Sequence, residues 1–180
     1  VAARRRVPSS GVTFVVDAAQ TLGEIPLSVD ELHCDLLTAP GHKGLLGPLG
    51  TGVLYVRPGV EERMMSIRTG GTGTESSSLK APTQMPVKFE AGNLNVPGIV
   101  GLGAGIRWLA ERGVAALREQ AIRQTERLLD GLVGLNGLRI VGPQGAQRRV
   151  GMVSLVVEGY DPQEASAVLA TSYGIETRAG

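Results

Sequence analysis

The sequence predicts an α/β fold whose loops cradle a ligand. Three observations carry that expectation. Short, almost unbroken apolar runs end on polar or turn residues, the pattern of strands buried on both faces of a parallel sheet. Between and after them lie longer stretches with apolar residues at helical spacing. Glycine is abundant, 26 of 180 residues, and aromatics make up only 3%, so tight turns and close backbone approaches are expected.

Taken in order, "VTFVVDAAQ" is the first strand and ends on Asp17. "SVDELHC" reads as a helical turn that Ser28 can cap, and a second strand runs from Asp35 to Ala39. "GTGVLYVRP" is the third strand, stopped by Pro58, and "GVEERMMSI" is a short helix or turn. Residues 70–84 form a polar Gly/Ser loop, of a length that is usually functional or disordered. Pro97 sits near a helix start, and Ile106, Leu109 and Ala110 follow at helical spacing. The strongest helix lies in "GVAALREQAIRQTERLLDGLVGL", with Leu117, Ile122, Leu128, Leu129 and Leu132 on its apolar face. "LRIVGP" and "VGMVSLVVEG" are strands. "DPQEASAVLATSYG" is a helix with Asp161 at its N-cap, Pro162 at the first position and Gly174 near its end. "IETRAG" opens a last strand. The later part thus reads as β-α-β around a long helix. A domain break falls between residues 110 and 114, which divides the chain into 1–112 and 113–180.

Composition removes several functions. Lys plus Arg number 18 and Asp plus Glu 17, so there is no electrostatic footprint for nucleic acid or an anionic membrane. The run Arg4-Arg5-Arg6 reads as a solvated helix end. No apolar run has the length of a membrane span, and the start is not of signal-peptide type. The single cysteine, Cys34, reads as a buried core thiol, which suits a reducing compartment and a cytoplasmic protein. The chain starts without Met and stops just after a β-like run, so it is expected to be a piece of a longer one. Gly101, Gly103 and Gly105 fail the dinucleotide pattern because Ile106 stands where the next glycine is required. Gly41-His42-Lys43-Gly44 is no P-loop, and His33, Cys34 and His42 match no zinc spacing, so no metal site is expected.

Two stretches survive, "VVDAAQ" and "GHKG". Asp17 closes the first strand and Lys43 follows the second, and strand ends on one edge of a parallel sheet are where α/β proteins build ligand sites. An Asp and a Lys at one site suit pyridoxal 5′-phosphate (PLP) chemistry. The amine binds the cofactor aldehyde and the carboxylate pairs with the pyridinium nitrogen. The same two residues also suit an ordinary surface salt bridge.

The wider stretch, "VVDAAQTLGEIPLSVDELHCDLLTAPGHKGLLGPLGTGVLYVR", resembles the cofactor-binding region of class V PLP-dependent enzymes, the cysteine desulfurase and selenocysteine lyase family. The likeness rests on Asp17-x-x-Gln20, on Asp35 heading the second strand, on His42-Lys43, and on Gly47-Pro48 before Gly50-x-Gly52. It continues in "GGTGTESS" and "FEAGNLNVPGIVGLGAGIRWL" and covers most of the chain from Gly11 onward. The resemblance implies a PLP-dependent transferase of fold type I, like aspartate aminotransferase. Residues 1–112 would be the C-terminal half of the PLP-binding large domain, and 113–180 an incomplete C-terminal α/β domain.

By the same resemblance, Lys43 would bind the cofactor and carry protons at the substrate carbons. Asp17 would pair with the ring nitrogen, Gln20 with the phenolic oxygen, and His42 would help hold the phosphate. The flanking glycines would let the backbone approach the cofactor. Asn93 stands where many members have a Thr that reaches the partner subunit's cofactor phosphate, and Pro40 where many have a hydroxyl residue. Arg178 would lie near the substrate, on the approach to a loop bearing the desulfurase cysteine beyond residue 180. The implied activity removes sulfur from L-cysteine, or selenium from selenocysteine, leaving alanine. It implies a homodimer and a sulfur-acceptor protein, and no nucleic acid or membrane partner. The chain taken alone is expected to be inactive. A class V aminotransferase or related PLP lyase is the alternative within the family, and a non-catalytic binding module the alternative outside enzymology.

Overall fold

The computed structural model describes residues 11–71, 73, 80 and 82–180. The run Arg4-Arg5-Arg6 and much of the 70–84 loop lie outside the described residues. The chain divides into two compact units, one reaching to Ala115 and the other running from Ala116 to Gly180.

The first unit is built on β1 (Val15–Asp17), β2 (Leu36–Pro40) and β3 (Gly52–Val56), in the order β1-β2-β3. β1 runs parallel to β2, with Asp17 opposite Thr38. β3 is antiparallel to β2, with Thr38 opposite Leu54. The connection through residues 41–51 is too short for the crossover that a parallel strand needs. Between β1 and β2 lies α1 (Val29–Leu32), where the Ser28 hydroxyl accepts from the Glu31 amide at 3.3 Å, as the sequence predicts.

Side chains alternate across this sheet. Leu37 and Ala39 join Ala18 and Cys34 in a buried cluster, against which Val16, Val53 and Tyr55 pack. The opposite face carries Val15, Asp17, Thr38 and Leu54, all exposed. The expectation of a first strand buried on both faces is therefore corrected: Val15 is 55% exposed. β1 is only three residues long and edges the described sheet, so its apolar content covers one face alone. At the far end from Asp17, Asp35 accepts from the Phe14 amide at 2.8 Å and pairs with the Arg57 guanidinium at 3.4 Å. Arg57 also donates to the Cys34 carbonyl at 3.0 and 2.7 Å, so one side chain clamps the beginnings of β1 and β2 to the end of β3.

Helix α2 (Val96–Arg112) starts where Pro97 predicts, with Asn95 Oδ1 accepting from the Gly98 amide at 3.1 Å. Its buried face is Gly98, Leu102, Gly105 and Leu109, whereas Ile106 is exposed. Gly113, at φ 78°, separates it from α3 (Val114–Leu132).

The second unit continues α3 into β4 (Leu138–Val141), β5 (Ser154–Val157) and α4 (Pro162–Tyr173). Leu129 and Thr125 are the buried residues of α3, and Leu128 is exposed. β4 and β5 pair antiparallel, so this unit is α-β-β-α and not the expected β-α-β. Buried Arg149 holds their connection, donating to the carbonyls of Pro143 at 2.8 Å and Val141 at 2.9 Å. α4 has the predicted ends: Asp161 Oδ1 accepts from the Gln163 amide at 2.9 Å, and Gly174 turns left-handed at φ 64°. Residues 175–180 form no strand. They fold back on α4, where the Thr177 hydroxyl meets the Ser166 hydroxyl at 2.9 Å.

Candidate functional site

Asp17 is the last residue of β1, and its surroundings are fixed by the backbone. The next residue, Ala18, is fully buried and donates to the Thr38 carbonyl at 2.8 Å. Asp17 Oδ1 accepts from the Ala19 amide at 2.9 Å, the local bond that favours Asp at the head of a turn. The turn closes through the Thr21 and Leu22 amides, each 3.0 Å from the Ala18 carbonyl, and leaves Gln20 exposed.

His42 and Lys43, both exposed, sit in the turn that follows β2. Three backbone bonds shape it: Gly41 to the Thr51 carbonyl at 2.8 Å, Gly47 to the Gly41 carbonyl at 2.7 Å, and Leu46 to the Lys43 carbonyl at 2.9 Å. The glycines beside the pair are required by packing within the chain. A β-carbon at Gly44 would strike the Leu22 carbonyl, and one at Gly41 would strike the Thr51 side chain. Gly23 faces the Gly44 carbonyl in the same way. These glycines are spent on packing chain against chain. The Lys43 turn thus rests on residues 22–24, which follow the Asp17–Gln20 turn directly.

A cleft of about 630 Å³ lies between the open face of the sheet and residues 85–90. Asp17, Thr38, Pro40, Leu54, Phe89 and Glu90 are the lining residues that give it its character. Among the described residues, two carboxylates and one hydroxyl face apolar walls, and no Lys, Arg or His lines it. The far wall is tied down by Lys88, whose Nζ donates to the Glu61 carbonyl at 2.6 Å and whose own carbonyl accepts from the Ser66 hydroxyl at 2.6 Å.

Of the residues singled out in the sequence, Asp17 lines the cleft. Gln20, His42 and Lys43 occupy the two turns beside it. Asn93 is exposed, two residues before the Asn95 cap. Arg178 is exposed in the second unit. Cys34 is fully buried in the core cluster. Among the described residues, no three His, Cys, Asp or Glu side chains group to hold a metal, and no helix is long and apolar enough to cross a membrane. Thr38 and Glu90 also line the cleft and were not singled out in the sequence. Thr38 carried a signal, as the one hydroxyl in the apolar run "LLTAP" at an alternation that shares Asp17's face, but nothing in the sequence points to Glu90.

The first unit is thus an α/β sheet with an acid-lined cleft on its open face. The aminotransferase class-V family profile matches residues 2–180. A probable cysteine desulfurase of Methanothermobacter thermautotrophicus is 34% identical over 173 residues, covering 94% of this chain and 42% of that protein. The apo cysteine desulfurase of Thermococcus onnurineus superposes with a TM-score of 0.88 at 37% identity, over 94% of this chain and 42% of that one. A C-DES mutant with glycine covalently linked to its PLP cofactor has a TM-score of 0.76 at 26% identity, over 97% of this chain and 46% of that one. The chain belongs to the aminotransferase class-V family, and its two α/β units have the matched part of that PLP-dependent fold. It spans 42% of the length of the Methanothermobacter relative.

Proposed function

We propose that this chain carries the cofactor-holding part of a PLP-dependent cysteine desulfurase, which takes sulfur from L-cysteine and leaves alanine and an enzyme persulfide. The observation that supports the reading most is Asp17 in an acid-lined cleft, with the Lys43 turn packed against residues 22–24, just after the turn that Asp17 heads. The donor set fits the group. The carboxylates suit a protonated ring nitrogen, with no competing cation among the described lining residues, and Pro40, Leu54 and Phe89 offer apolar walls to a planar ring. PLP, when bound, supplies an electron sink for charge developing at the substrate's α-carbon.

Asp17 would hold the ring nitrogen in its protonated form. Gln20 would donate to the phenolic oxygen, and His42 would stand at the phosphate. Lys43 would hold the cofactor through its amine and then move the proton at the substrate's α-carbon. Arg178 is assigned to the substrate and Asn93 to the cofactor phosphate of a partner subunit, in a homodimer. Cys34 does not take the sulfur, because it is sealed in the core. A sulfur-acceptor protein would then discharge the persulfide, in the reducing cytoplasm. The compact units support reading residues 1–112 as part of the large domain and 113–180 as part of the small one.

The test is the visible spectrum of the complete-chain protein with PLP beside a Lys43→Ala variant. A visible band that the variant lacks is expected, together with a loss of cysteine-dependent alanine formation of at least about 10³-fold. No band in either protein would remove the PLP reading. A band with amino-group transfer and no sulfide would redirect it to an aminotransferase.

A further inference from the structure

Helix α2 carries a glycine where it meets the Lys43 turn, although a glycine inside a helix weakens that helix. We propose that Gly105 is a further positioning residue of this site, seating the Lys43 turn on α2 through the Leu45 and Leu46 carbonyls and so fixing the place from which the Lys43 amine reaches the cofactor. The inference rests on the PLP reading above and deepens it.

Gly105 is buried, and a β-carbon there would lie 2.5 Å from the Leu45 carbonyl oxygen and 2.9 Å from that of Leu46. Three residues earlier on the same face, the buried Leu102 lies under both ends of the turn. Its Cδ1 is 3.2 Å from the place a β-carbon would take at Gly41 and 2.7 Å from the place at Gly47. The turn is also strained. Leu46 has φ 57°, in the left-handed region that a bulky residue avoids. Its side chain is 53% exposed, so burial of that side chain does not hold it there. Its backbone is held on both sides instead: its amide donates to the Lys43 carbonyl at 2.9 Å, and its carbonyl faces Gly105. A strained residue persists where its surroundings over-determine it. The Gly47 amide closes the same turn on the Gly41 carbonyl at 2.7 Å, so a shift forced at Leu45 or Leu46 is passed on to Lys43. Lys43 is exposed, so its amine is placed by its backbone and not by packing. Gly103 on the same helix differs. The nearest atom to its missing β-carbon is the tip of the Arg107 side chain at 3.5 Å, which can move aside.

The experiment titrates PLP into the complete-chain protein by absorbance and then follows the visible band with pH, for wild type, Gly105→Ala, Gly103→Ala and Leu46→Val. Gly105→Ala is expected to weaken PLP binding about tenfold, the scale of an overpacked contact. It should also move the pH at which the band changes, because the amine that makes the band is displaced. A role in stability alone would leave that pH unmoved. Gly103→Ala is expected to match wild type in both readings. Leu46→Val strains the same junction from the turn's side, since a β-branched residue resists positive φ, and should move the band pH as well. Wild-type affinity and band pH in Gly105→Ala overturn the inference and leave the PLP reading standing. So does weaker binding with an unmoved band pH, because α2 would then support the fold and not the lysine. If Gly105→Ala does not fold, Leu46→Val decides, and a wild-type band pH in that variant overturns the inference. A wild type that takes up no PLP overturns the PLP reading itself, and this inference with it.

Discussion

The turn that carries Lys43 contains glycines whose α-hydrogens face other backbone. At Gly44 the obstacle to any larger residue is the Leu22 carbonyl, with Glu24 Cγ 3.0 Å from the place a β-carbon would take. Backbone cannot swing aside as a side chain can, so Gly44→Ala must move either the backbone at residues 22–24 or the turn with Lys43. Overpacking of this kind costs about 1–3 kcal/mol. A urea titration should therefore show Gly44→Ala unfolding at lower denaturant than wild type, with an unchanged slope. An unchanged midpoint would mean that residues 22–24 and the Lys43 turn are not in contact. The chemistry of the residues was legible here and the packing was not. Asp-x-x-Gln and His-Lys stand out because charged and polar groups end apolar runs. The reason for the glycines was hidden, because Gly44 and Leu22 are far apart in sequence and only the fold brings them together.

The elements were legible where a cap or a breaker marks them. Ser28, Pro97, Asp161 and Gly174 each announce a helix end, and each is found at one. What the pattern misjudged was which face of a helix is buried. α2 buries Gly98 and Gly105, and a β-carbon at Gly105 would lie 2.5 Å from the Leu45 carbonyl oxygen, in the very turn that follows Lys43. A count of apolar side chains cannot see a face made of glycine. β4 and β5 were legible as strands, but their antiparallel pairing was not, because both read as apolar runs whichever way they pair. The α2 cap is the part of this element most open to test. Asn95 satisfies the Gly98 amide and packs beside Thr51. Asn95→Ala should lower stability by about 0.5–2 kcal/mol, read from thermal or denaturant unfolding, and Asn95→Asp should recover most of it. If Asn95→Ala is neutral, the helix start is held by its packing against residues 45–51 and not by its cap.

At the scale of the whole chain, the fold class was legible because strand and helix patterns alternate. The openness of the sheet was not, because alternation within β1–β3 says which residues share a face and not whether anything covers it. The described sheet has one face closed by the core cluster and one that leaves Val15, Asp17, Thr38 and Leu54 exposed. His42 and Lys43 are exposed as well. Charge developing at a substrate carbon is best controlled where water is excluded, since solvent weakens every electrostatic contact and lets protons leak. In the family to which this chain belongs, it spans 42% of the Methanothermobacter relative, so most of that relative's length lies outside the match. From the exposed site we expect the 180-residue chain, supplied with PLP and L-cysteine, to release no alanine or sulfide above a Lys43→Ala control. A protein with the length of the relatives should do so. Both can be measured in one assay, with alanine by chromatography and sulfide by a colour reaction. Turnover by the 180-residue chain at the rate of the longer protein would show that residues 11–180 close the site by themselves. The open face of the sheet would then have to be covered in solution, with a second copy of the chain the first candidate to examine by its sedimentation.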